Sequence, residues 1–242
     1  MCGRYGLPPD HPDFFRGWSD LLVYKNLPFD ELLRNFNIAP TQRVPVIFMQ
    51  DGARVVSPMR WGMIPVWTQK IRGSSLIDRK GDRMKSTYIN GRSETIEKTQ
   101  PFASAFKGKR RCLVPAAGFF EWQKIKTDDG LKRVPHWITQ KSRDYMNLAG
   151  LWSKWSSSEG DETLSCTILT TVPNSFMEPI HNRMPVILSE EAGDTWLSNS
   201  TSFAELKELL VPYDPGDMQA HVVSDLVNNV KNNGPELIET VI

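Results

Sequence analysis

Short apolar runs with β-type patterning recur along the chain, and they predict a protein built mainly from strands. Helical patterns do not alternate regularly with these runs, which argues against a doubly wound parallel sheet. The predicted fold class is α+β, with mixed and mostly antiparallel sheets and with peripheral helices. The predicted strands cover residues 44–49, 112–114, 136–139, 145–151, 164–171, 185–188 and 221–224.

Helix-forming signals are fewer than strand signals. Residues 189–197 begin with Ser189 and two glutamates, which suits an N-cap and the positive end of the helix dipole. Ser202 and Glu205 form a capping-box pattern that opens a helix through Leu210. Residues 30–36 are a third helix candidate. Polar or glycine-containing segments predict loops at 68–88, 124–134 and 153–163.

Composition places the chain among ordinary globular proteins. It has 242 residues, of which 40% are hydrophobic and 24% charged, enough for one large domain or two small ones. No stretch reaches the ~18 apolar residues of a membrane span, and the N-terminus lacks the charged and apolar regions of a signal peptide. We therefore expect a nuclear or cytoplasmic protein that is not attached to a membrane.

The three cysteines form neither a disulfide framework nor a metal-type spacing. Cys112 and Cys166 lie in apolar runs, which predicts that both are buried core thiols. The sequence also lacks a glycine-rich phosphate loop, zinc-ligand spacing and a helical His-Glu metal motif. No cofactor and no metal ion are therefore predicted.

Charge is distributed unevenly along the chain. Residues 189–242 hold ten acids and two bases, a net of −8, and because the whole chain carries +1, residues 1–188 carry +9. Basic residues cluster at 70–85 and at 107–111. This pattern suits a polyanion such as nucleic acid. The alternative is that each cluster is a solvated loop.

The first residues, Met1-Cys2-Gly3-Arg4, offer unusual chemistry. Methionine aminopeptidases remove Met1 when residue 2 is small, which would leave Cys2 with a free α-amine beside its thiol. An α-amine titrates near ~7.8 and a lysine near ~10.4, so near neutral pH the neutral fraction of the α-amine is roughly 400-fold larger. Such an aminothiol condenses with an aldehyde through an imine to a thiazolidine. The alternative is that Cys2 has no role.

Two titratable residues lie where catalytic groups collect. Glu121 follows an apolar and aromatic run, and a carboxylate that is costly to ionise suits acid–base work near neutral pH. The alternative is a strand edge with Glu121 facing water. His181 lies in a turn-like segment before an apolar strand, and a structural role is its alternative. The other histidines are predicted to be structural or solvent-facing: His11, His136 and His221.

Polar and aromatic residues at two further places are candidates for nucleic-acid contact. Asn90 can donate and accept hydrogen bonds, and Arg92 can contact a phosphate bidentately, although the Asn-Gly pair also fits a simple hairpin. Trp61 and Trp67 surround glycine and proline, where they can stack on exposed bases. Core packing is the alternative for both tryptophans.

At these residues the chain resembles the SRAP (SOS-response-associated peptidase) family of abasic-site processing proteins. Six motifs appear in the order of that family and span most of the chain up to about residue 230. They are Met-Cys-Gly-Arg at 1–4, Asn-Ile-Ala-Pro-Thr at 37–41, Met-Arg-Trp-Gly-Met-Ile-Pro-Val-Trp at 59–67, Asn-Gly-Arg-Ser-Glu at 90–94, Arg-Arg-Cys-Leu-Val-Pro-Ala-Ala-Gly-Phe-Phe-Glu-Trp at 110–122 and His-Asn-Arg-Met-Pro-Val-Ile-Leu at 181–188. Phe120 and Gly91 depart from the residues common in the family, and the segment 68–88 matches least well.

The resemblance implies a single SRAP domain over residues 1–230, with a β-barrel-like core and a positively charged channel, and a C-terminal tail over 231–242. It implies covalent crosslinking to abasic (AP) sites in single-stranded DNA. We expect a monomer, and the imine intermediate predicts AP-lyase activity as a side reaction. The implied catalytic residues are Cys2 as nucleophile with Asn90, Glu121 and His181 around it. The implied DNA-binding residues are Arg4, Trp61, Trp67, Arg92 and Arg183.

Two other functions stay open at this point. A thiol-dependent peptidase or hydrolase would use the thiol of Cys2 without its α-amine, and removal of Met1 could be autoproteolytic. A non-covalent module for single-stranded DNA would need the basic surface and the tryptophans, but not Cys2.

Overall fold

The structure is a computed structural model that describes residues 2–7, 22–23, 34–84, 87–128 and 130–241. Strands dominate it. They are β1 (Tyr5–Leu7), β2 (Leu22–Val23), β3 (Asn35–Ile38), β4 (Arg43–Gln50), β5 (Ala53–Trp61), β6 (Lys70–Arg72), β7 (Ser75–Ile77), β8 (Asn90–Arg92), β9 (Arg111–Ala116), β10 (Gly118–Thr127), β11 (Gly130–Gln140), β12 (Met146–Ser156), β13 (Glu162–Thr171), β14 (Met184–Pro185), β15 (Ile187–Leu188) and β16 (Met218–Val222).

Helices are short and lie between or after the strands. The α-helices among the described residues are α1 (Phe102–Lys107), α2 (Glu190–Leu197) and α3 (Phe203–Glu208). Short 3-10 turns cover Ser93–Thr95, Pro215–Asp217, Asp225–Asn228 and Pro235–Leu237. Within the described ranges, no helix has the length and apolar character needed to cross a membrane.

Five strands close into a barrel in the order β5-β4-β9-β12-β13. Neighbouring strands in this series are antiparallel, and a short parallel pairing of β13 with β5, at Ser165–Arg60 and Cys166–Trp61, completes the ring. Closure satisfies backbone groups that an open sheet would leave at its edges. The predicted α+β class with a barrel-like core is therefore confirmed.

A second, wholly antiparallel sheet runs in the order β16-β11-β10-β1-β3. It carries the first strand of the chain, because β1 lies between β10 and β3. Tyr5 pairs with Phe119 on one side and with Ile38 on the other. The start of the chain is thus an internal strand of this sheet.

The end of β13 joins two segments that come from distant parts of the sequence. Thr170 pairs with Arg92 of β8 and with Pro185 of β14, so these strands occupy opposite edges of β13. Arg183 braces the arrangement: Nη1 and Nη2 donate to the Glu94 carboxylate at 2.5 and 2.9 Å, and Nη2 also donates to Thr170 O at 2.6 Å. A bidentate pair of this kind fixes geometry as well as charge.

Trp61, the last residue of β5, belongs to the core. Its side chain has no exposed surface, its Nε1–H donates to Ile89 O at 2.9 Å, and its ring meets Tyr5 edge-on with centroids 5.2 Å apart. Cys112 and Cys166 are also fully buried, as predicted.

Most of the predicted elements are confirmed. All seven predicted strands overlap observed ones, and α2 and α3 begin at the predicted caps, with Ser189 Oγ accepting from Ala192 N–H and a complete capping box at Ser202. The third predicted helix, 30–36, is wrong at its end, because Asn35–Ile38 pairs with β1 as a strand. Residues 30–33 lie outside the described ranges.

Of the three predicted loops, the one at 124–134 is wrong, and those at 68–88 and 153–163 are confirmed in part. Residues 124–134 belong to the outer part of a long β10–β11 hairpin, which is paired from Phe119–Ile138 to Thr127–Gly130. Residues 68–88 contain the small β6–β7 hairpin, and only residues 157–161 of the predicted loop at 153–163 lie outside β12 and β13. Cross-strand pairing rather than local polarity decides these segments.

The segment expected to be a C-terminal tail packs on the body as far as it is described. Leu237 is fully buried, Val241 N–H donates to Val222 O at 3.1 Å, and His221 Nε2 lies 2.7 Å from Ile238 O. Asn37, itself buried, donates to the carbonyls of Val227, Asn229 and Asn232. These contacts hold the last residues against β3 and β16.

Trp61→Ala is expected to lower the free energy of unfolding by about 3–5 kcal/mol, because it opens a large cavity in the core. Trp67→Ala is the matched control and should cost much less, since Trp67 is partly exposed. Trp61→Phe should fall between them, because it keeps a ring but leaves Ile89 O without its donor. Chemical denaturation measures all three, and equal losses at positions 61 and 67 would contradict the core assignment.

Glu94→Gln is expected to destabilise the protein at neutral pH and not in acid. The hydrogen bond from Arg183 is the main cause that holds the pKa of Glu94 below its ordinary value of 4.5. The ionised carboxylate of Glu94 therefore stabilises the fold at pH values above 4.5. This stabilisation is lost as the pH falls through the lower pKa that Glu94 has in the folded state. Denaturation across this range measures the difference. Glu162→Gln, which removes an exposed pair with Lys154, is the control with little effect.

Candidate active site

Cys2 is buried next to the second sheet, just before β1. Phe120 N–H donates to Arg4 O at 2.9 Å, which continues the pairing of β1 with β10 toward the start of the chain. The Cys2 side chain has no exposed surface, and its Sγ lies 4.0 Å from Arg4 O. The chain described here still carries Met1, so the α-nitrogen of Cys2 belongs to a peptide bond.

Glu121 projects from β10 into the same region. It is 3% exposed, so the alternative in which it faces water from a strand edge is wrong. Burial raises the pKa of the Cys2 thiol, and the nearby charge of Glu121 raises it further. The thiol is therefore kept protonated at neutral pH.

Asn90 contacts Cys2 directly. Its Nδ2 donates to Cys2 O at 2.8 Å, and its position is fixed by β8, in which Asn90 pairs with Ile168 of β13. The Asn90 Oδ1 atom is buried and accepts no hydrogen bond from the described part of the chain. One amide thus holds the Cys2 backbone and offers an acceptor beside it.

His181 lies on a compact turn after β13. Asn174 Oδ1 accepts from Met177 N–H at 2.9 Å, and Met177 O in turn accepts from His181 N–H at 2.8 Å. Gln123 of β10 donates to Pro179 O at 3.2 Å, which ties this turn to the strand that carries Glu121. Met177 and Met184, on either side of His181, belong to the same buried cluster as Cys2.

The imidazole of His181 is oriented by the backbone. Arg183 N–H lies 3.0 Å from Nδ1, which accepts from it in the tautomer whose proton is on Nε2. Nδ1 also lies 3.2 Å from Arg183 O, to which it would donate in the other tautomer. Both contacts fix the orientation of the ring.

The residues predicted to bind DNA fall into two groups. Arg92 is exposed and Trp67 is partly exposed, so both remain predictions. Trp61 requires correction, because it is buried in the core and has no surface on which a base can stack. Arg183 is 9% exposed and its guanidinium is held by Glu94 and Thr170, and its contact with DNA remains a prediction.

Arg4 is partly exposed and is also engaged within the fold. Its Nη1 donates to Asn37 Oδ1 at 2.6 Å and to Val227 O at 2.8 Å. It joins the first residues of the chain to β3 and to the C-terminal segment. Its contact with DNA remains a prediction.

Sequence reasoning assigned no role to Glu94, although it lies within the motif at 90–94. Its carboxylate links the strand that carries Asn90 to the segment that follows His181, through Arg183. The other histidines have backbone partners or lie outside the described ranges: His136 Nδ1 lies 3.0 Å from Val134 O, His221 Nε2 contacts Ile238 O, and His11 is not described. The described residues contain no group of three His, Cys, Asp or Glu side chains that could hold a metal ion.

Comparison with known proteins shows the family of this chain. The family model described as SOS response associated peptidase (SRAP) matches residues 1–230. The chain is 37% identical over 241 residues to the abasic site processing protein YoqW of Bacillus subtilis, covering 99% of this chain and all of the relative. It is 30% identical over 278 residues to the abasic site processing protein HMCES of Rattus norvegicus, covering 98% of this chain and 75% of the relative.

The fold is also similar to that of a solved structure. A crystal structure of a Bacteroides thetaiotaomicron protein superposes with a TM-score of 0.82 at 25% identity, and the match covers the whole of both chains. The family match covers most of the chain, and the similarity to YoqW extends over 99% of this chain and all of that relative. The chain belongs to the SOS response associated peptidase (SRAP) family.

Proposed function

We propose that this protein processes abasic sites by forming a covalent thiazolidine between Cys2 and the sugar aldehyde in single-stranded DNA. One observation carries the proposal: Cys2 is held at the start of the chain by Asn90, with the Glu121 carboxylate beside its thiol. The names of the relatives, abasic site processing proteins, support the substrate. Removal of Met1 supplies the α-amine that the chemistry requires.

The first step joins nitrogen to carbon. His181 assists opening of the cyclic hemiacetal to the aldehyde by proton transfer at the ring oxygen. The neutral α-amine of Cys2 attacks C1, giving a carbinolamine that loses water to form an imine. Glu121 carries protons in these steps, and the free Oδ1 of Asn90 accepts a hydrogen bond from the amine or from a sugar hydroxyl.

The second step closes the ring. The Cys2 thiol adds to the imine carbon, a carbon–sulfur bond forms, and the thiol proton passes to nitrogen. The five ring atoms are sulfur, Cβ, Cα, nitrogen and C1, so closure needs no further positioning and has a high effective molarity. The product has no free aldehyde and resists strand cleavage by β-elimination. If closure fails, the imine can drive that elimination as an AP-lyase reaction.

The environment of the thiol supports an amine-first reaction over a thiol hydrolase. A cysteine nucleophile for amide cleavage works as a thiolate and is usually stabilised by a nearby cation. Here burial and Glu121 both raise the pKa of the Cys2 thiol. A neutral thiol that is delivered after imine formation suits these surroundings better than a thiolate that attacks first.

Cys2→Ser separates the two steps of the mechanism. Serine keeps the α-amine, so borohydride should still trap an imine with abasic single-stranded DNA, whereas the heat-stable adduct that needs no reductant should disappear. Denaturing gels and intact mass measure both species. Wild-type protein acetylated on its α-amine is the control and should give neither. A heat-stable adduct from the acetylated protein would sink the amine-first mechanism and favour attack by the thiol.

Glu121→Gln should move two observables in opposite directions. Loss of the proton carrier should slow adduct formation by about 10²–10⁴-fold. Loss of the negative charge should lower the pKa of the Cys2 thiol, so that its alkylation begins at a lower pH. Quenched-flow gels and mass-mapped alkylation measure these effects. Glu159→Gln, at an exposed glutamate between β12 and β13, is the matched control. A slower reaction with an unchanged alkylation profile would indicate a merely structural role for Glu121.

A further inference from the structure

The β10–β11 hairpin continues beyond the body of the protein as a two-stranded ribbon, residues 124–133, here called the basic arm. Its described residues are all exposed, in contrast to Glu121 and Phe120 at the base of the same strand. The strands stay in register to the end, from Lys124–Arg133 to Thr127–Gly130. The arm is therefore regular structure that projects from the active-site strand.

The arm carries a net positive charge. Its sequence includes four bases, Lys124, Lys126, Lys132 and Arg133, and two acids, Asp128 and Asp129. Ion pairs within the described chain include none of the four bases. Lys124 lies directly opposite Arg133. Like charges at opposed positions destabilise a strand pair, so the arrangement favours an anionic partner.

Three of the cations share one face. Side chains of directly opposed residues lie on the same face of a ribbon, and the face repeats every second residue. Lys124 and Arg133 form one pair, and Lys126 with Leu131 forms the next pair on the same face. Leu131 is 59% exposed. The face therefore combines a row of cations with uncovered apolar surface.

The distance from the active site sets what the arm can reach. At ~3.3 Å per strand residue, Thr127 lies about 20 Å along β10 from Glu121. A chain that enters the Cys2 site and continues beside β10 therefore passes the arm several nucleotides from the reacting sugar. A free phosphate or a single nucleotide would not span this separation.

We propose that the basic arm binds the sugar–phosphate backbone of the DNA strand flanking the abasic site, and this extends the function proposed above. Lys124, Lys126 and Arg133 neutralise successive phosphates, and Leu131 contacts an adjoining sugar or base. The interaction is independent of sequence, because backbone contacts carry no base information. It raises local substrate concentration before any covalent step.

The salt dependence of DNA binding tests the proposed non-covalent contact of the basic arm. For single strands, each neutralised phosphate contributes about −0.7 to the slope of log K against log salt. Removing three cations should therefore make the slope less negative by about 2. The arm variant carries Lys124→Gln, Lys126→Gln and Arg133→Gln. The charge-matched control carries Lys98→Gln, Lys231→Gln and Arg34→Gln, all at exposed positions away from the arm. Binding to undamaged single-stranded DNA is measured, and equal slopes for both variants would overturn the proposal.

Substrate length tests the reach of the arm. Wild type and control should form adduct faster with an abasic site in a long strand than with one flanked by a single nucleotide on each side. The arm variant should lose this advantage of the long strand. Its melting temperature should equal or exceed that of wild type, because repulsion is relieved. If the arm variant still reacts faster with the long strand, the arm proposal is contradicted. If no protein forms an adduct but the arm variant shows the expected change in salt slope, only the crosslinking chemistry is contradicted.

Discussion

Burial of the chain start is the constraint on which this structure depends. Most proteins leave their first residues at the surface, but here β1 is an internal strand and Cys2 has no exposed surface. The backbone of Cys2 is fixed by Asn90 from one direction, and β1 is paired with β10 from another. In the reaction proposed above, this internal pairing would keep the nitrogen of Cys2 in a fixed position, whereas an unpaired chain end would fray.

The barrel helps to position the residues around Cys2. Closure of β13 on β5 leaves the C-terminal half of β13 free to pair with β8 and β14, which bring Asn90 and the His181 turn to the same end. The ion pair between Arg183 and Glu94 connects the segment after β8 to the segment before β14. Through this pair the two residues hold the segments that surround Cys2.

The sequence predicted the strands and caps well because those signals are local. The capping box at Ser202 and the apolar runs of the barrel strands depend on neighbouring residues alone. The burial of Trp61 and the ion pair of Arg183 could not be predicted, because both depend on residues far away in the chain, Ile89 and Glu94. The 124–134 hairpin was missed although its Asp-Gly pair between alternating residues is a known hairpin signal. Its polar composition concealed the strand pattern.

The contacts of Arg4 and Asn37 connect the two ends of the chain. Both side chains hydrogen-bond to Val227 O, and Asn37 also binds the carbonyls of Asn229 and Asn232. Segments that share such bonds tend to open together in hydrogen exchange, as one cooperative unit. Detachment of the last residues would then loosen the first strand, although more than two hundred residues separate them. The position of Cys2, two residues before Arg4, therefore depends in part on contacts made by a segment near the other end of the sequence.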